Sequence, residues 1–431
     1  MRMGFLPAIA AVLIAVTPAD VEIARADYAA SVAVGQEPRY LALHATDPDL
    51  IAATMFMVTA SSRATVLDDM VPRRMPGTNL LRIDLRALQW DVHSWMAVAG
   101  FPSNPTTSRQ NPLIIDAGWL LNELADGTQS AAYDRLLFGA KPPKTRDEFL
   151  AVFGIDRNKQ GGLAYGVIPS TSGVNLARNA SRLMEHSDGV NAESWLTWDV
   201  TEIRDGADPL QGLFANGFKA DGTEGYVLTT RLAGTERVIL PVTFLADGKG
   251  KLVHEAPGAL VEDSTELFGD RIIRSPGSCF VCHTQGSQPV DGNALAERLK
   301  SGVELKAYEY AKQKEIEFFH LADTAPELKR WDDGFARALL HINGLTAPEN
   351  AAALKSAITS YNADVTLERA AAELSCEPEK LRNSLAWASA RYINIGNRLA
   401  GLAHGVSMPR TQWEQDFLKA QQYVEDFNVH P

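Results

Sequence analysis

Residues 225–254 have the sequence GYVLTTRLAGTERVILPVTFLADGKGKLVH, and this stretch decides the fold that we expect. Two short connections that contain glycine divide it into three runs rich in apolar and β-branched residues. Such runs, joined by tight turns, are typical of antiparallel hairpins. We therefore predict an antiparallel meander whose strands lie at residues 225–232, 237–245 and 251–254.

The sequence before the meander mixes strand and helix patterns. Residues 80–85 alternate apolar and polar side chains, as a half-buried strand does. Residues 133–153 predict helices interrupted at Pro142 and Pro143. Residues 176–186 predict an amphipathic helix that ends at His186. Together with the meander, these patterns favour an α+β domain with an antiparallel sheet over residues 27–270.

After about residue 270 the sequence changes character and becomes helical to its end. Helix start signals stand at Thr324, Thr346, Thr366 and Pro409. The regions between them predict helices, including long ones at residues 293–321 and 377–403. We therefore predict a second, mainly α-helical domain over residues 271–431.

The composition is that of a globular protein, and its charge is acidic. Lys and Arg number 41 against 53 Asp and Glu, which gives a formal net charge of −12. An acidic chain without a block of Lys or Arg is poorly suited to a phosphate backbone, so we expect no nucleic acid partner.

The first 26 residues have the pattern of a secretory signal. Arg2 precedes an uncharged run at residues 7–16, and Ala24-Arg25-Ala26 fits the cleavage pattern of a signal peptidase. The run is too short to span a bilayer, and no later stretch approaches 18 uncharged apolar residues. We therefore predict export to a periplasm, cleavage after Ala26 and no membrane span in the mature chain. A buried N-terminal helix is the alternative.

Two of the three cysteines belong to one motif. Residues 278–284 are SCFVCHT, so Cys279, Cys282 and His283 form Cys-x-x-Cys-His, the attachment pattern of c-type haem. Thiols one helical turn apart can reach the two vinyl groups on one porphyrin edge, and the following imidazole can ligate the iron. The third cysteine, Cys376, is expected to be a buried free thiol.

Three other interpretations of the motif are weaker. A Cys279–Cys282 disulfide leaves His283 without a role. A zinc site needs four ligands, and the adjacent Cys282 and His283 can hardly both point at one tetrahedral ion. A thioredoxin-like redox motif expects a βαβ context, whereas the sequence that follows here is mostly helical.

At residues 279–283 the chain resembles the c-type cytochromes as a class. The resemblance implies one covalent haem c, thioether bonds from Cys279 and Cys282, and His283 as the proximal iron ligand. The chain departs from the small soluble members because about 250 residues precede the motif. A two-haem peroxidase is disfavoured, since the sequence holds a single such motif.

The sixth position of the iron decides between a carrier and an enzyme, because a strong ligand there blocks substrate. Met408, in a connection between predicted helices, is the first candidate. His186 is the second, and would require the N-terminal domain to cover the haem. The helical histidines His320, His341 and His404 are further candidates, and an open or water-bound position is the remaining one.

These inferences predict a periplasmic single-haem cytochrome that exchanges one electron with a redox partner, either a protein or a small molecule. The alternative is a haem enzyme, peroxidase-like or an oxidase of a small molecule, with an open iron between the two domains. A gas-sensing module is a third interpretation, for which the sequence offers no support.

Overall fold

The computed structural model describes residues 16–44, 47–105, 112–127, 130–156, 165–169, 181–199, 222–256, 262–284, 325–391 and 397–429. Within these ranges the chain has a mixed α/β architecture that contains two sheets. The predicted signal run and the predicted helix at residues 293–321 fall largely or wholly outside the described residues.

The larger sheet has six strands in the order β10-β9-β8-β7-β6-β5, and every neighbouring pair is antiparallel. The three predicted strands of the meander are confirmed as β8, β9 and β10. Gly234, at φ +58°, lies in the tight turn between β8 and β9, in a conformation that favours glycine. The strands are β5 (Tyr165–Pro169), β6 (Ser181–Asp188), β7 (Ala192–Asp199), β8 (Gly222–Ala233), β9 (Glu236–Asp247) and β10 (Leu252–Val253).

The prediction of a helix over residues 176–186 is wrong for the part that the structure describes. Residues 181–186 belong to β6, which pairs with β5 on one side and β7 on the other. Hydrogen bonds to two neighbouring strands outweigh a local apolar spacing that is compatible with a helix. His186 therefore lies on a strand and not at the end of a helix.

The smaller sheet has four strands in the order β2-β3-β1-β4, and its β1–β4 pair is parallel. The strand predicted at residues 80–85 is confirmed as β3. The strands are β1 (Pro38–Ala42), β2 (Arg73–Arg74), β3 (Leu80–Asp84) and β4 (Ile114–Asp116).

Seven helices lie in the described chain between residues 18 and 152. The break predicted at Pro142 and Pro143 is confirmed, because the helices on either side of it end at Phe138 and begin at Arg146. The helices are α1 (Pro18–Val32), α2 (Pro48–Ala60), α3 (Leu85–Leu88), α4 (Val92–Ala99), α5 (Ala117–Asp126), α6 (Ala131–Phe138) and α7 (Arg146–Val152).

The cleavage site predicted after Ala26 falls inside α1. Thr17 and Asp20 form a capping box at the start of this helix, and Ala24 is buried in a small apolar cluster. Asp27 accepts hydrogen bonds from Tyr40 at 2.7 Å and from Arg82 at 2.8 Å. Cleavage at this position would thus remove residues 18–26 of α1. The cleaved chain would begin at Asp27 and would retain the hydrogen bonds of Asp27 to Tyr40 and Arg82.

The described elements after residue 276 are all helices. Their predicted starts at Thr346, Thr366 and Pro409 are confirmed, and Thr324 directly precedes the first described residue of α9. Where one helix was expected at residues 377–403, two are described, on either side of residues 392–396. The helices are α8 (Gly277–Cys282), α9 (Ala325–Asn343), α10 (Ala347–Asn362), α11 (Leu367–Glu373), α12 (Pro378–Arg391), α13 (Asn397–Ala403) and α14 (Arg410–Val429).

Two large apolar cores organise these elements. The first extends from Leu41 to Tyr361 and includes side chains of α9 and α10, which pack on α2, α5 and β9. The second, from Val365 to Val424, is built by α11 to α14. Residue 270, the predicted domain boundary, therefore lies within the span of the first core.

Among the described helices, none combines the length and the apolar character that crossing a bilayer demands.

Candidate functional site

The Cys-x-x-Cys-His motif lies on α8 and directly after it. Gly277, the first residue of α8, lets this helix approach α5 closely, since a Cβ there would lie 2.7 Å from the backbone oxygen of Ala125. Phe280 points to the first core and meets the ring of Phe56 with centroids 4.8 Å apart. Packing thus fixes the position of this helix against α5 and the first core.

Cys279, Cys282 and His283 share a side of this turn. They occupy positions i, i+3 and i+4, which lie above one another on a helix. His283 ends the helix, and its backbone N–H donates to the carbonyl oxygen of Cys279 at 2.9 Å. Both cysteines are free thiols, Cys279 buried and Cys282 exposed. The chain therefore presents two thiols and an imidazole together.

The Cys279 thiol lies in a polar pocket of the larger sheet. Its Sγ is 3.7 Å from Oε1 of Glu224, and the hydroxyls of Thr243 and Ser275, hydrogen-bonded to each other, are further neighbours. Burial, and then the Glu224 carboxylate, raise the pKa of Cys279 well above its usual range. Burial, followed by nearby carboxylates, raises the pKa of Cys282 to about 11.

Both thiols are consequently protonated at neutral pH. Reactive and redox-active cysteines have a lowered pKa, because the thiolate is the nucleophile. The raised pKa values of both thiols thus differ from the lowered pKa that a thioredoxin-like or nucleophilic cysteine has.

The imidazole of His283 contacts strand β8. Its Nε2 lies 2.9 Å from the hydroxyl oxygen of Tyr226, and that hydroxyl donates to Oε1 of Glu224 at 2.6 Å. A tyrosine has one hydroxyl hydrogen, so with that hydrogen on Glu224 the Nε2–H of His283 is the donor to Tyr226. Binding of a metal ion by Nε2 requires this proton to move to Nδ1 and Tyr226 to be displaced. We call Glu224, Tyr226, Cys279, Cys282 and His283 the motif cluster.

An aromatic surface adjoins the motif cluster. Tyr226 lies opposite Trp195 in the strand register, and the ring of Trp331 on α9 lies 6.4 Å from that of Tyr226. Trp331 stacks on Phe335, which in turn stacks on Phe280. The Trp331 side chain is 4% exposed, and its Nε1 has no hydrogen-bond partner in the described part of the chain. These aromatic rings form a largely buried apolar layer beside the motif cluster.

The donors of the motif do not converge on one point. Among the described residues, the one set of three donors close enough to share an ion is His186, Asp188 and Glu193. A zinc ion would need the two sulfurs and the imidazole within one small tetrahedron. A haem spreads these bonds over two vinyl carbons and the iron. The donor types, their shared helix face and the aromatic surroundings thus fit a covalent haem better than a zinc ion.

Most of the described candidate sixth ligands have partners outside the motif cluster. Met408 is buried in the second core, and its backbone pairs with Val365. His186 faces Glu193 and Asp188. Of the remaining histidine candidates, His341 on α9 pairs with Asp68 and His404 is exposed on the turn after α13. His320 lies outside the described residues.

A second buried polar set joins the two cores. Glu373 accepts two hydrogen bonds from the guanidinium of Arg410, at 2.7 and 2.9 Å. It also accepts one each from Trp413 and Arg369. Arg410 lies over the ring of Tyr361, 4.4 Å from its centroid, and donates to its carbonyl oxygen. We call these five residues the junction cluster.

Charge pairing dominates the junction cluster. Burial acts to raise the pKa of Glu373, but the charge and hydrogen bonds of Arg410, with the charge of Arg369, outweigh it and lower this pKa to about 2. At the edge of the cluster, burial raises the pKa of Glu414 to about 7, although the Tyr361 hydroxyl donates to its carboxylate.

The sequence pointed to Cys279, Cys282 and His283 but not to their partners. Glu224 and Tyr226 lie on one face of β8, two residues apart, and their nearness to α8 depends on tertiary packing. Their only local signal is an acidic side chain within an otherwise apolar and β-branched run.

Comparisons with protein-family models, with curated proteins and with solved structures gave no match to this chain.

Proposed function

We propose that this protein carries one covalent haem c and transfers single electrons to or from a redox partner. The observation that carries the proposal is the placement of two free thiols and an imidazole on one side of α8. Cys279 and Cys282 would hold the group through thioether bonds, and His283 would ligate its iron. When bound, the group supplies one reversible Fe(III)/Fe(II) couple.

Residues around His283 would adjust to ligation and line the bound group. Release of Nε2 from Tyr226 leaves the tyrosine hydroxyl on Glu224, which is a charge-assisted hydrogen bond. Phe280, Phe335 and Trp331 offer an apolar surface that excludes water.

Export and domain organisation belong to the same proposal. Residues 1–26 would direct the chain to the periplasm, an α+β part would span residues 27–270, and a helical haem-binding part residues 271–431. In support, the described strands all end before residue 254 and the described elements after residue 276 are helical.

The test is haem content after expression of the full chain in a host with machinery for covalent haem attachment. We expect one haem per polypeptide, retained after denaturation and visible as added mass. Covalent haem should be lost in Cys279→Ala/Cys282→Ala and retained in Cys376→Ser, which removes the cysteine outside the motif. A wild-type product that is bare polypeptide would refute the proposal.

A haem enzyme with an open sixth position is the second candidate function. Its support is the placement of Met408 in the second core and the engagement of His186 with two carboxylates. High-spin iron that binds carbon monoxide in the reduced state would favour the enzyme. Low-spin iron that does not bind it would favour the electron carrier.

A further inference from the structure

The hairpin between β6 and β7 brings three metal-ligating side chains together. His186 and Asp188 are two residues apart on β6 and so share a face, and Glu193 on β7 lies directly opposite Asp188. Gly189 keeps the turn tight, because a Cβ there would lie 2.8 Å from the carbonyl oxygen of Ala192. The strand register alone therefore places one nitrogen and two carboxylate donors side by side.

The donor atoms have the spacing of a coordination site. His186 Nε2 lies 3.0 Å from Oε2 of Glu193 and 3.4 Å from Oδ1 of Asp188, and the three donors are within 4.8 Å of one another. A tetrahedral ion with ligand distances of about 2.0–2.2 Å places its donors about 3.3–3.6 Å apart. The set needs little adjustment to surround an ion.

Neighbouring residues hold two of the donors in place. Trp195 stacks on the His186 ring at 4.3 Å, so the imidazole cannot turn freely. Arg330 donates to Oε1 of Glu193 at 2.8 Å, which leaves Oε2 directed at His186. His186 and Glu193 are buried, whereas the side chain of Asp188 is 75% exposed. The site thus has a fixed base and an opening to solvent.

We propose that His186, Asp188 and Glu193 bind one divalent cation of the zinc class, with water in the fourth position. Imidazole excludes the ions that take oxygen ligands alone, and three protein ligands with an open position suit zinc. Two carboxylates supply a charge of −2, of which the guanidinium of Arg330 offsets part. This site is separate from the motif cluster and does not depend on the proposed haem.

The experiment is calorimetric titration of the chelator-treated full chain with zinc chloride. We expect one ion per chain, and at least tenfold weaker binding in Asp188→Asn and in Glu193→Gln. His186→Ala should abolish binding. His341→Ala is the matched control, because His341 pairs with one carboxylate, Asp68, and should leave the titration unchanged.

Circular dichroism separates loss of ligands from loss of fold. Asp188→Asn is the most informative variant, since an exposed side chain contributes little to folding. The proposal is overturned if the wild type binds no zinc at millimolar concentration, if all three variants bind as the wild type does, or if the loss is confined to His186→Ala.

A second arm keeps the two proposals distinguishable. Cys279→Ala/Cys282→Ala removes the thiols that could also bind zinc, and should retain the single ion at the hairpin whether or not the wild type carries haem. Loss of zinc binding in this variant would place the ion at the motif and overturn the assignment to the hairpin.

Discussion

The junction cluster and the motif cluster are both buried or half-buried sets of polar groups, but they differ in how their hydrogen-bonding capacity is used. In the junction cluster, Glu373 receives four hydrogen bonds from three cationic or aromatic donors, so its charge is compensated within the chain. In the motif cluster, the Glu224 carboxylate accepts from two uncharged donors, the Tyr226 hydroxyl and the Cys279 thiol, and the His283 imidazole lies 2.9 Å from that same hydroxyl.

The difference indicates a division of roles. Bonds that compensate a buried charge are costly to break and are suited to joining two cores. The bond between His283 and Tyr226 holds no buried ion pair together, so its exchange for a ligand costs less free energy. Four substitutions test this contrast, starting with the largest expected effect.

Glu373→Gln should destabilise the protein by about 3–5 kcal/mol, because it leaves Arg410 buried without its counter-charge. The measurement is the free energy of unfolding in urea at pH 7. Glu379→Gln is the control: its ion pair with Arg382 is exposed and should contribute under about 1 kcal/mol.

The sign of the pH dependence follows from the pKa of Glu373. Because folding lowers this pKa to about 2, the stabilisation is complete above about pH 4.5 and is lost as the pH falls towards 2. The loss of unfolding free energy caused by Glu373→Gln should therefore decrease as the pH falls from about 4.5 towards 2. A penalty below 1 kcal/mol at pH 7 would contradict the structural role of the junction cluster.

Trp413→Phe and Trp331→Phe form a matched pair across the two clusters. Both substitutions shrink a buried indole, but only Trp413 donates to a carboxylate. In the haem-free Cys279→Ala/Cys282→Ala background, Trp413→Phe should lower the free energy of unfolding by about 1.5–3 kcal/mol more than Trp331→Phe does. This difference is the typical contribution of a hydrogen bond to a charged group. Equal losses in thermal or urea unfolding would remove the distinction between the clusters.

Glu414→Gln should give the smallest change in the free energy of unfolding, and this change should be stabilising. Folding raises the pKa of Glu414 to about 7, so the folded chain prefers the neutral carboxyl and loses stability as the pH rises from about 4.5 through 7. Glutamine does not ionise, so the variant does not lose this stability as the pH rises. We expect a gain of about 1–2 kcal/mol at pH 8, after allowance for solvent screening, and none at pH 4. A gain of equal size at both pH values would refute ionisation as its cause.

The elements that local sequence signals specify were predictable. The turns around Gly234 and at residues 246–250 marked the strands of the meander, and Thr346 and Thr366 marked helix starts, because glycine turns and N-caps act through neighbouring backbone atoms. Residues 181–186 were wrongly expected to be helical, since partners in β5 and β7 decide their conformation.

By itself the sequence determined the motif chemistry: two thiols and an imidazole at positions i, i+3 and i+4 share a helix face in any fold that keeps the turn helical. Tertiary structure alone decided what surrounds them. The pairing of Tyr226 with His283, the enclosure of Cys279 beside Glu224, and the meeting of His186 with Glu193 all depend on sheet register and on packing between distant segments. Side-chain spacing along a helix is local geometry, whereas register and packing are settled only when the whole chain buries its apolar surface.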